Sequence, residues 1–143
     1  GVGASPGTAA FDLVEAAAGV PLPYARDLGE RWTIGARLEF AAGHLSERGT
    51  ESMLVRLGPL ARLEREGLPV AIEFGISPTL LERHRFPARN LGVAFQFTSH
   101  AGVTSTGDRV RLGYRFQHTS NARIDEINPG LNMHVFSLVV LFD

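Results

Sequence analysis

The chain has 143 residues, a formal net charge of −1 and no cysteine. That length suits one domain with a sizeable core, here the whole span 1–143. The charge offers no field for nucleic acid, and the missing cysteines exclude disulfides and CxxC metal sites. All fourteen cationic side chains are Arg, and the five His (44, 84, 100, 118, 134) lack metal-ligand spacing. No metal and no cofactor is expected. No run of about 18 apolar residues marks a membrane helix, but barrel strands alternate and escape that test. The chain opens mid-pattern at Gly1-Val-Gly-Ala, as a processed or trimmed protein would.

Turn-forming clusters punctuate the chain at Ser5–Gly7, Gly19–Arg31, Ser46–Thr50, Glu66–Pro69, Glu82–Asn90, Ser105–Asp108 and Thr119–Gly130. Between them the spacing predicts strands over Thr8–Ala18, Trp32–His44, Ser52–Leu63, Val70–Leu80, Gly92–Val103, Arg109–His118 and Leu131–Phe142. A stub at Gly1–Ala4 adds the end of a truncated first strand. Strands at this spacing indicate an all-β barrel or sandwich.

The alternation separates two sides. One carries Trp32, Ile34, Leu38 and Phe40, then Met53, Val55 and Leu57, Ile72, Phe74 and Ile76, and Val110, Leu112, Tyr114 and Phe116. The other carries Arg37, Glu39, Arg56, Arg62, Glu73, Arg111 and Arg115 among Gly, Ala and Ser, with Asp12 assigned to it as well. Glu15 breaks this alternation and suggests a bulge or a strand end. A soluble lipocalin-like barrel would turn the apolar side inward; a membrane barrel would turn it to lipid. Small residues beside Arg and Glu suit the crowded interior of a small barrel. The reading is therefore an eight-stranded antiparallel transmembrane up-and-down β-barrel. Trp32, Phe40, Tyr114, Phe116 and Phe142 serve as interfacial girdle or packing residues. A periplasmic C-terminus would put the Thr119–Gly130, Glu82–Asn90, Ser46–Thr50 and Ser5–Gly7 connections on the extracellular side.

The chemistry concentrates in the run from Tyr114 to Asn132. His118 and Ser120, two apart on a strand, share a face, as a base and its serine nucleophile must. Their parity continues the apolar side, so the pair belongs on the lipid-facing wall. A hairpin centred near Asp125 would set Asn132 opposite His118 and His134 opposite Phe116, although so long a loop admits other registers. In that register the Asn132 amide can orient the imidazole. His134 reads as an interface residue.

His118-Thr-Ser120-Asn121 followed by Asn128-Pro-Gly130 resembles the PagL-type lipid A 3-O-deacylases, eight-stranded barrels of the bacterial outer membrane. The match is close in the last third and weaker elsewhere, as at Asn90-Leu-Gly92. The resemblance implies hydrolysis of the ester-linked acyl chain at position 3 of lipid A without a metal. It implies Ser120 as nucleophile, His118 as base, and Asn121 or Asn128, with loop N–H groups, as oxyanion donors. Two positions depart from the family pattern. Asn132 replaces a Glu, for which Glu126 or Asp125 can substitute. Arg123 replaces a Gly, and a side chain there resists φ > 0. Arg83, Arg85 and Arg89, in one loop, suit lipid A phosphates or core sugars, and a homodimer is kept as an oligomeric option. A non-catalytic outer-membrane barrel of the same fold is the competing reading.

Overall fold

The computed structural model describes residues 1–5 and 10–141. Eight antiparallel strands follow one another around a closed ring. They are β1 (Val2–Ala4), β2 (Phe11–Gly29), β3 (Trp32–Glu47), β4 (Thr50–Arg65), β5 (Val70–Leu81), β6 (Phe95–Ser105), β7 (Val110–Ser120) and β8 (Leu131–Val140). β1 is three residues long and pairs with both β2 and β8, which closes the ring.

The two sides of the alternation become the two surfaces of the wall. Met53, Leu57, Phe74, Ile76, Leu112, Phe136 and Leu138 are exposed outward. Arg56, Glu15, Glu39, Thr98 and Gln117 are buried within. An exposed apolar belt around a closed ring is the signature of a lipid-facing barrel; in water it would be an aggregation surface.

Inside, the strands stack layers of different chemistry. Towards the end with short turns, Arg56 bonds Glu15 at 3.1 Å and Glu39 at 3.0 Å, with its side chain 1% exposed. Arg115 pairs with Glu15, Arg37 with Glu39 at 3.0 Å, and Arg62 with Glu73 at 2.8 Å. Buried charges persist only when paired in this way. Thr79, Thr98 and Thr119 then form a hydroxyl ladder at 2.8 and 2.9 Å. Towards the end with long loops an apolar plug closes the interior: Phe11, Leu13, Leu45, Leu91, Met133 and Val135 are at most 2% exposed.

That plug corrects two expectations. Asp12 points outward, whereas Glu15 lies inside with Phe11 and Leu13. The pairing Val14↔His44, Glu15↔Gly43, Ala16↔Ala42 runs through Glu15 without a bulge. Strand ends also move. Residues 19–29, expected as a connection, continue β2; its irregularities fall between Pro21 and Ala25 and between Asp27 and Gly29, and the turn is only Glu30–Arg31. On a strand exposed on both faces and paired there only with β3, proline is tolerated. β6 begins at Phe95 because Gly92, at φ 87°, turns the chain before it. β7 continues past His118 to Ser120. The expectations for Pro6, Gly7, Thr8 and Phe142 fall outside the described residues.

Candidate active site

β7 and β8 carry the site at the loop end of the wall. Their register pairs His118 with Asn132 and Phe116 with His134, the option that a hairpin centred near Asp125 offers. His118 and Asn132 are exposed on the outer surface, and Ser120 is half-buried on the same face of β7. His118 Nδ1 lies 2.6 Å from Asn132 Oδ1. An amide oxygen only accepts, so Nδ1 carries the proton and donates. The bond fixes the tautomer in which Nε2 is an open acceptor, the form that a general base needs. The place a substituting acid at Glu126 would take is thus filled by Asn132; Glu126 itself is exposed in the loop.

The β7–β8 loop, residues 121–130, is shaped by Asn121. Its side chain is fully buried and donates to the carbonyls of Ile127 at 2.8 Å and Leu91 at 3.4 Å. Its Oδ1 accepts from Arg123 N–H at 2.9 Å. Asn121, expected as an oxyanion donor, is here a fastening of the loop, with its amide hydrogens directed to backbone carbonyls. Asn128 Oδ1 accepts from Asn121 N–H at 3.0 Å, which pins the Asn128 amide and directs its Nδ2 away from that bond. Ala122 and Arg123 both take positive φ, 52° and 65°. The bend expected to resist an Arg is present, held by the Asn121 bond to Arg123 N–H.

Two glycines make this packing possible. At Gly92 an added Cβ would meet Ile127 O at 2.2 Å and Asn121 Nδ2 at 2.6 Å. At Gly130, φ 64°, an added Cβ would lie 2.6 Å from His118 Cε1. The imidazole thus rests directly on the Gly130 backbone.

The expected anion-binding Arg cluster divides. Arg83 and Arg85 are exposed, whereas Arg89 is half-buried. Arg89 donates from Nη1 to the Gly130 carbonyl at 2.8 Å. The sequence also gave no sign that Tyr114 Oη would lie 2.7 Å from His134 Nδ1 on the outer wall, one row below the His118–Asn132 pair.

The family model described as lipid A 3-O-deacylase (PagL) matches residues 14–140, nearly the whole chain. The chain belongs to that family. Among its relatives, the lipid A deacylase PagL of Bordetella bronchiseptica is 41% identical over 66 residues. That match covers 43% of this chain and 35% of the relative, about a third of its length. The crystal structure of the outer membrane enzyme PagL superposes with a TM-score of 0.83 at 17% identity, over 99% of both chains. At that identity the likeness is one of fold: the same eight-stranded barrel. With its lipid-facing belt, this PagL-family barrel is built to span a membrane.

Proposed function

We propose that the chain is a serine esterase that removes the 3-O-linked acyl chain of lipid A. The observation that carries this reading is the 2.6 Å bond from His118 Nδ1 to Asn132 Oδ1 on the lipid-facing wall, two residues from Ser120. A site on the outside of a barrel, at its loop end, meets a substrate that lies in the outer leaflet beside it.

The proposed reaction has two steps. Ser120 Oγ attacks the ester carbonyl while His118 Nε2 takes its proton. The imidazolium is held by Asn132, and the oxyanion by Asn128 Nδ2. Collapse breaks the bond to the sugar oxygen, which leaves with the proton from His118 and gives an acyl-Ser120. Water then attacks that ester with His118 again as base, and the fatty acid departs. Asn132 fills the position of an acidic orienter, as Asn does in Cys-His-Asn enzymes.

Mass spectrometry of lipid A incubated with the purified barrel in detergent micelles tests the reading. The expected product lacks one acyl chain, at position 3. Unchanged lipid A in the presence of the folded barrel would point instead to a structural outer-membrane protein.

A further inference from the structure

Arg89 belongs to the β5–β6 loop, residues 82–94, yet its guanidinium reaches across 41 residues to donate to the Gly130 carbonyl. The loop gives it a fixed base. Phe86 packs edge-on against Phe11 at 5.0 Å in the plug, Ala88 N–H donates to Glu47 Oε2 at 3.0 Å, and Phe86 and Arg89 exchange backbone hydrogen bonds at 2.9 and 3.3 Å. At the other end of the bond, Gly130 is buried and supplies the surface on which His118 lies. Two residues further on is Asn132, the acceptor for His118 Nδ1. A glycine at positive φ has no side chain to anchor it, so the carbonyl is the handle by which this segment is held.

We infer that Arg89 is a positioning residue for His118, acting through Gly130. The inference rests on the reading of His118 as the base. Without the guanidinium, Gly130 can shift at the entry to β8, and the ring loses its backing and with it the alignment of Nδ1 on Asn132. The same Arg serving as an anion contact would act on substrate binding, so kinetics separate the two roles.

The test compares Arg89→Ala and Arg89→Lys with wild type on lipid A in detergent micelles, with folding checked by heat-modifiable gel mobility. For Arg89→Ala, kcat should fall about 100-fold, the scale of a misplaced catalytic group, while KM stays within about twofold. Arg89→Lys, which keeps one donor for the same carbonyl, should recover about tenfold of that loss. The His118 Nδ1–H resonance, identified by its disappearance in His118→Gln, should shift in Arg89→Ala. A raised KM with kcat intact, or an unmoved kcat and resonance, overturns the inference. If the wild type leaves lipid A untouched, the resonance alone decides: a shift upholds the clamp while the deacylase reading fails, and no shift removes the clamp. Should Arg89→Ala not fold, Arg89→Gln, too short to reach Gly130, carries the same comparison.

Discussion

Replacing Asn132 by Glu probes the weakest chemical element of the site. His118 Nδ1 donates to a neutral oxygen at 2.6 Å. As Nε2 takes the serine proton the ring becomes a cation, and its bond to Asn132 is then worth about 1.5–3 kcal/mol. A carboxylate in the same place adds an ion pair, about 1 kcal/mol at 4 Å in water and about 4 kcal/mol at an effective dielectric of 20. Both residues are exposed on the outer wall at its loop end, the level of the hydrated lipid headgroups, so the lower end of that range governs. Asn132→Glu should therefore raise kcat about fivefold, the equivalent of about 1 kcal/mol. Asn132→Ala, which deletes the bond, should lower kcat about tenfold to a hundredfold by the same conversion. The assay is fatty-acid release from lipid A in micelles, with kcat and KM resolved separately. Wild-type rates in both variants would refute the assignment of Asn132 as orienter.

Ser120→Ala and His118→Ala should each abolish deacylation while the barrel keeps its heat-modifiable gel shift; residual wild-type turnover in Ser120→Ala would contradict the mechanism. Asn121→Ala removes the bonds to Ile127 O, Leu91 O and Arg123 N–H. Each buried group left unpaired costs about 1–3 kcal/mol, so the β7–β8 loop should become susceptible to limited proteolysis. Arg56→Ala takes one cation from the buried carboxylates of Glu15 and Glu39, which keep Arg115 and Arg37 as partners, and should lower barrel stability by about 3 kcal/mol, the low end for a broken buried pair, read as a lower midpoint in urea unfolding.

The sequence is most legible where lipid and a charged interior face each other across the wall. From Val110 to Ser120 the outer apolar residues contrast with Arg111, Arg115 and Gln117 inside, and that parity sets His118 on the outer face, while its place opposite Asn132 also needed the hairpin centre near Asp125. Near the loop end the interior is an apolar plug, so Phe11 and Leu13 inside resemble Val14 outside. The contrast disappears, and Asp12, assigned to the interior, lies outside. The prolines and glycines of residues 19–29 disguised a strand that is exposed on both faces.

The site shows the same division. His118, Ser120 and Asn132 were readable because strand geometry relates them. The bond from Arg89 to Gly130 and the bond from Asn121 to Leu91 join loops 41 and 30 residues apart. No local pattern encodes them, so the sequence carries no sign that either residue ties the two loops together.

In the proposed mechanism His118, oriented by Asn132, activates Ser120 on the outer wall. Labelling with an alkyl fluorophosphonate, a trap for base-activated serines, reads that activation without lipid A. One adduct, mapped to Ser120, should form rapidly on the wild-type barrel and be lost in His118→Ala. An unlabelled Ser120 in the folded wild type, or labelling that persists without His118, would contradict the mechanism.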